Sequence, residues 1–323
     1  MKKSLIAMSV AAVFAAPMAA NAAGTVYGQL QAEISQIEAG NADSTIGMVD
    51  NARGRVGFKG SEEVGNGMTM IGKMEFKVDT ADGDADTAGN GVSLQKREMM
   101  VGLKQGWGTF SMGRLKSPYK YTGGVKYDPF VATTLEARGV TMSGKVGTGK
   151  AMGHNSFQSD SVGLGLMGGK LGITIGVEEG TNQSDISIGY KHKMGKKNEI
   201  VFAHVAQGGD QGDYTGTKVG GKFGAIKFQV EATDTGTASD TNLFVSFGMK
   251  AAGGKVILQG GTATGDSYED DVVDLTAGYV KKFSKKARWF AGLRSTTGTK
   301  AAVTPVDGDL DNTTVTYGMR FDY

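Results

Sequence analysis

Strict alternation of apolar and polar residues recurs along this chain in stretches of about ten, the length a tilted strand needs to cross a bilayer. In Thr25 to Ile34, Val26, Leu30, Ala32 and Ile34 fall on one parity, and Tyr27, Gln29, Gln31 and Glu33 on the other. A period of two with one apolar and one polar side is the mark of a two-faced strand. Met68, Met70, Met74, Phe76 and Val78 oppose Thr69, Lys73, Glu75, Lys77 and Asp79 in the same way, and Ile226, Phe228 and Val230 oppose Lys227, Gln229 and Glu231. Leu243 to Met249 and Trp289 to Leu293 repeat the pattern, as does the terminal set Val315, Tyr317, Met319, Phe321 and Tyr323. Arg97 to Leu103 carries apolar residues on both parities, and Phe157 to Val177 is too glycine-rich for its register to be read.

Strands of soluble sandwiches usually run about five or six residues, so these are long. The connections alternate too. Tight ones are expected at Ser61 to Gly67, Gln105 to Gly108, Gly195 to Asn198, Gly221 to Ala225, Ala251 to Gly254 and Ser284 to Ala287. Longer acidic or Gly/Asp/Thr-rich ones are expected at Thr80 to Val92, Gln207 to Tyr214, Thr233 to Asp240, Gly265 to Asp270 and Gly298 to Asn312. Short turns on one side and long loops on the other predict an all-β, transmembrane, antiparallel up-and-down β-barrel of about sixteen strands. Closure pairs every backbone group that meets lipid, and a barrel this wide keeps an aqueous lumen.

Composition narrows the alternatives. Of 323 residues 52 are glycine, a poor fit to a helix-rich enzyme because each interior helical glycine costs about 1 kcal/mol relative to alanine. The absence of cysteine excludes disulfides, thiolate catalysis and Cys-ligated zinc. Met1-Lys2-Lys3, the apolar stretch Leu5 to Ala16 and Ala20-Asn21-Ala22 form an export signal, expected to occupy residues 1–22 and leave a mature barrel domain of 23–323. Losing Lys2 and Lys3 balances the charges at 33 of each sign, which argues against nucleic acid as a partner.

Asn51 to Met68, with its run Arg53-Gly54-Arg55-Val56-Gly57-Phe58-Lys59-Gly60, resembles the second-strand signature of the Gram-negative general porins. Arg97-Glu98-Met99-Met100-Val101-Gly102-Leu103-Lys104 and the following Gly106 to Arg114 resemble the same family, as does the terminal Tyr317 to Tyr323, where Tyr323 replaces the usual final Phe. The resemblance implies a homotrimer in the outer membrane, in contact with lipid and lipopolysaccharide. It implies a final aromatic read by the outer-membrane insertion machinery, and passive diffusion of ions and small hydrophilic solutes without a cofactor. It also implies a third extracellular loop folded inward, here about Leu115 to Ala137. The sequence supports that loop independently with a long stretch free of alternation, containing Pro118, Pro129 and a helix-like piece at Pro129 to Glu136.

By family correspondence Arg55, Arg97 and Arg138 are expected on the wall of the constriction, with Arg53 and Lys59 sharing the parity of Arg55. On the loop stand the carboxylates Asp128 and Glu136, outnumbered by Lys116, Lys120 and Lys126, a balance that predicts weak anion preference. The competing reading makes each arginine an ordinary lumen charge and gives Asp128 and Glu136 the task of holding the loop together. Arg114 shares the parity of Phe110 and Met112, so it is expected at a subunit contact, latched by Asp82, Asp84 and Asp86 of a neighbour.

Other motifs lead nowhere. Gly144 to Lys150 has phosphate-loop spacing, but Ala151 stands where Ser or Thr is required. Asp82, Asp84 and Asp86 lack the terminal glutamate of a calcium loop. His154, His192 and His204 have no metal-site spacing, so no metal is expected. Two alternatives to a channel remain open on sequence: a surface adhesin or structural protein of β-sheet, and a barrel esterase using one of those histidines.

Overall fold

The computed structural model describes residues 24–39, 43–49, 53–78, 80, 94–122, 127–137, 157–178, 183–208, 213–300 and 311–323. The export segment lies outside them. So do Asp82, Asp84, Asp86, Lys126, Arg138 and His154.

The chain runs through β1 (Thr25–Ala39), β2 (Thr45–Val49), β3 (Arg55–Gly65), β4 (Met68–Lys77), β5 (Gln95–Gln105) and β6 (Gly108–Lys116). A single helical turn, α1 (Pro118–Tyr121), follows. The wall resumes with β7 (Phe157–Leu166), β8 (Leu171–Glu178), β9 (Gln183–Met194), β10 (Asn198–Gly208), β11 (Tyr214–Phe223) and β12 (Ile226–Asp234). It closes with β13 (Ser239–Ala251), β14 (Gly254–Gly265), β15 (Tyr268–Lys282), β16 (Ala287–Lys300) and β17 (Asn312–Asp322). Each strand from β3 onward pairs antiparallel with the next, and β17 pairs back onto β1 from Gln29↔Asp322 to Ala39↔Asn312, which closes the barrel. Because β2 lies along Glu33–Ile37 and β3 along Thr25–Gln29 of the same β1, the two are halves of one crossing, and the barrel has sixteen.

The alternation sorts the side chains by face. Val26, Leu30, Ile34, Val230, Leu243, Val245, Phe247, Leu275, Leu293, Val315, Met319 and Phe321 are exposed on the outer surface, while Gln29, Gln31, Glu33, Gln229, Glu231, Gln259 and Thr316 are buried on the inner one. A soluble protein does not expose a continuous apolar belt of that size. A bilayer covers it. Aromatic rings in tilted contact, Tyr279 with Trp289 and Trp289 with Tyr317, stand toward the short-turn end of that belt, at 5.3 and 5.7 Å between ring centroids.

Several expectations are corrected. The segments Thr233 to Asp240 and Gly265 to Asp270 are tight turns, not long loops: Asp234 Oδ1 accepts the Gly236 amide at 2.6 Å, and Asp240 Oδ1 accepts the Ser267 amide at 3.0 Å. Their Asp/Gly/Thr content is the chemistry of side-chain-capped turns. Residues Ser61 to Gly65 continue β3, leaving only Asn66 and Gly67 to turn. Pro129 to Glu136 is a series of three-residue-spaced turns, because Ala132 takes a φ of 56°, which no α-helix tolerates. The helical turn lies earlier, at α1. Lys116 ends β6, so the long connection starts at Ser117.

Candidate functional site

The charged centre of the wall begins at Tyr27. Gly57 lies opposite it in register and Glu75 opposite Gly57. A Cβ on Gly57 would stand 2.3 Å from the Tyr27 ring, so only glycine lets the ring cross β3 to place its hydroxyl 2.9 Å from Glu75 Oε2. On the other side of Glu75, the β4–β5 register slips between Met74↔Met99 and Phe76↔Lys96, which sets Arg97 and Glu98 together against one residue. This bulge turns both side chains toward the lumen. Past the bulge the register is regular, and Met100 is the apolar residue that falls on the same parity as Glu98.

Cations then converge. Arg97 Nε lies 2.8 Å from Glu75 Oε1, Arg55 Nη1 3.9 Å from the same atom and Lys73 Nζ 3.7 Å from Oε2. Lys73 also pairs with Glu98, and Lys116 Nζ approaches Glu98 Oε2 at 3.1 Å. Arg55 donates through Nη2 to Gln29 Oε1 at 2.9 Å. Four cations thus share two carboxylates. The side chains of Glu75 and Glu98 are only 2% and 10% exposed, against 19–32% for the cations above them. Solvent in the lumen therefore meets a positive surface.

Of the other expected wall residues, Arg53 precedes β3 and accepts a hydrogen bond from Gln29 Nε2 through its carbonyl. Lys59 lies nearer the short-turn end, its ammonium 5.5 Å from the Tyr27 ring. Lys73, Glu75 and Glu98 were not singled out from sequence. The parity of β4 already held Lys73 and Glu75, but only the register places them beside Arg55 and Arg97.

The described residues of the third connection pack against inward-facing side chains of the opposite wall. Tyr119 is fully buried with Ala203, Val205 and Tyr214, its hydroxyl donates to Glu231, and its amide donates to Ser187 Oγ at 2.8 Å. Burial and the Glu231 carboxylate push the Tyr119 phenol well above its ordinary pKa. The ring seats over Gly216, where a Cβ would stand 2.7 Å from the hydroxyl, and Phe130 seats over Gly278 at 2.5 Å. Gln31 Nε2 donates to Ala132 O at 2.6 Å, Glu33 Oε2 accepts from the Thr134 amide at 3.0 Å, and Thr276 Oγ1 donates to Leu135 O at 3.1 Å. Asp128 and Glu136, 1% and 3% exposed, are turned into this contact. Asp128 Oδ1 accepts from the Phe130 amide and from Gln259 Nε2, and Glu136 Oε2 accepts from the Ala132 amide. Lys120 lies beside the Tyr121 ring, as does Lys116.

Arg114 pairs with Met99, donates through Nε to Arg97 O at 3.0 Å and through Nη1 to Ser159 Oγ, and lies over Phe157. His192 and His204 share the outward parity of Ile200 and Phe202, and His204 Nδ1 meets Thr217 Oγ1 at 2.8 Å. Neither described histidine therefore faces the lumen.

Residues 7–301 match the family model described as Gram-negative porin. The major outer membrane protein P.IB of Neisseria meningitidis serogroup B is 36% identical over 133 residues, covering 39% of this chain and 37% of that protein, so the chain spans well under half the length of this relative. The anion-selective porin from Comamonas acidovorans superposes with a TM-score of 0.70 at 18% identity, over 94% of this chain and 100% of that one. OmpT of Vibrio cholerae, in its trimer form, superposes at 0.61 with 16% identity, over 94% and 99%. With sixteen crossings, a lipid-facing exterior and a charged interior, the chain belongs to the Gram-negative porin family.

Proposed function

We propose that the barrel is an outer-membrane channel through which ions and small hydrophilic solutes diffuse down their gradients, with a weak preference for anions. The observation that carries this reading is the division of each strand into an outer apolar and an inner polar face around a closed wall. Passage needs no cofactor and no bond-making step. Residues 117–122 and 127–137 narrow the passage: their contacts with β1, β9 to β12 and β14 to β16 leave the opening against the cationic wall of β3 to β6. Arg55, Arg97, Lys73 and Lys116 line that side, and the buried Asp128 and Glu136 hold the loop. The field at the constriction is then one-signed, and anions are favoured. The N-terminal signal is removed on export, the barrel assembles as a homotrimer in contact with lipid and lipopolysaccharide, and Tyr323 serves the insertion machinery.

Purified folded protein in a planar bilayer is expected to give step-like conductance, and in a salt gradient a zero-current potential of the sign set by anion flow. A clear cation preference would refute the selectivity; absence of steps would refute the channel and return the adhesin reading. Arg114→Ala is expected to lower the heat and detergent resistance of the trimer on denaturing gels, because a cation on the outer face is costly in lipid, about 2–4 kcal/mol at mid-membrane, and belongs at a subunit contact. Unchanged trimer resistance would place Arg114 elsewhere.

A further inference from the structure

Toward the short-turn end, the inner face of β11 to β17 carries a second group of cations. In register, Lys222 stands opposite Lys227, Lys250 opposite Lys255, Lys282 opposite Arg288, and Arg288 opposite Arg320. All share the parity of inward residues: Lys227 that of Gln229, Lys250 that of Ser246, Lys255 that of Gln259, and Arg288 that of Phe290. Like charges directly opposite on one face of an antiparallel pair are destabilising. Here that arrangement repeats along the inner edge of β11 to β17.

The compensation expected of structural charges is missing. Lys227 donates to Tyr127 O at 3.0 Å and Arg320 pairs with Asp322 at 2.7 Å, but Lys222, Lys250, Lys255, Lys282 and Arg288 have no carboxylate partner among the described residues. The carboxylates facing this arc are Glu199, opposite Lys222, Asp128, near Lys227, and Asp322. Lys227 is repelled by both Lys222 and Lys255 and attracted by Asp128 and Glu199, so the first two pairs of the arc act on one another. Gly248 makes room for one member: a Cβ there would stand 2.3 Å from Lys255 Cε, so glycine lets that side chain lie along the wall.

We propose that this arc, on the periplasmic side of the lumen and reaching up to the third connection at Lys227 and Arg288, is a binding site for multivalent oxyanions. A monovalent anion bridges one pair, whereas a polyvalent one neutralises two or more pairs at once, so occupancy rises steeply with ligand charge. The end is assigned to the periplasm because its described turns are short, two to four residues, and β1 begins and β17 ends there. The inference rests on the channel reading.

The test is one-sided addition of inorganic tripolyphosphate to single channels in a planar bilayer. The chain has no cysteine, so Thr237→Cys in the exposed Thr235–Ala238 turn marks orientation by reaction with a bulky maleimide from one side. Tripolyphosphate on the short-turn side is expected to reduce the current at lower concentration than on the other side. In Lys250→Gln/Lys255→Gln/Lys282→Gln that half-blocking concentration should rise roughly ten-fold while block from the opposite side stays as it was. Equal block from both sides, or block insensitive to the three substitutions, would overturn the site while conductance still supports the channel. No conductance at all would instead remove the channel reading on which it rests.

Discussion

Arg55→Glu with Arg97→Glu is expected to reverse the sign of the zero-current potential in a salt gradient. In the native cluster four cations face two carboxylates, and the carboxylates lie beneath the cations. The double substitution leaves two cations facing four carboxylates, two of them on the more exposed layer. Charges this close to a narrow passage lie well within the screening length of about 10 Å at 0.1 M salt, so a permeating ion feels the inversion directly. Arg55→Gln with Arg97→Gln is the graded control: it leaves Lys73 and Lys116 against Glu75 and Glu98, locally neutral, and should bring the potential close to zero. Both variants keep the barrel register, and unchanged β-sheet circular dichroism would confirm that the wall is intact. A potential that merely shrank in the glutamate variant, without changing sign, would move the origin of selectivity away from this cluster, for instance to the cation arc of β11 to β17.

The barrel was legible because lipid imposes the same parity rule on every strand. Val26 to Ile34, Ile226 to Val230 and Val315 to Phe321 report their faces without reference to any neighbour. Reading failed where a residue's role depends on register. Arg97 and Glu98 share one face only because of a bulge, and a bulge leaves no trace in one strand's own sequence. Asp234, Asp240 and Asp266 made two turns look like acidic loops, since a capping aspartate and a solvated one have the same letter. The loop carboxylates Asp128 and Glu136 illustrate the same limit: their count was available, but not that backbone amides and Gln259 would engage them. The resemblance pointed to Arg55 and Arg97, whereas the place of Lys73 between Glu75 and Glu98 depends on how β3, β4 and β5 lie side by side.

The third connection's hold on the wall predicts the largest stability effect, at Asp274. This carboxylate is fully buried and takes Arg294 in a two-pronged pair, Nε to Oδ1 at 2.6 Å and Nη2 to Oδ2 at 2.8 Å, while Arg294 Nη1 reaches Thr134 O at 3.4 Å. Asp274 thus orients the guanidinium that meets the loop. Asp274→Ala leaves a largely buried cation without its partner, an effect of about 3–5 kcal/mol. Thermal unfolding of the detergent-solubilised barrel should therefore begin at clearly lower temperature, and open-channel noise should rise as residues 128–136 lose one tether. Adding Arg294→Leu to Asp274→Ala should recover much of the stability, since removing both charges also removes their desolvation cost, but not the quiet open state, because Thr134 O would still lack its donor. Separate recovery of the two readouts distinguishes a buried charge that must be neutralised from a contact that positions the loop. If the single variant unfolded like the native protein, neither role could belong to Asp274, and the weight of holding the loop would fall on Glu33, Gln259 and Thr276, whose hydrogen bonds reach Thr134 and Leu135 independently.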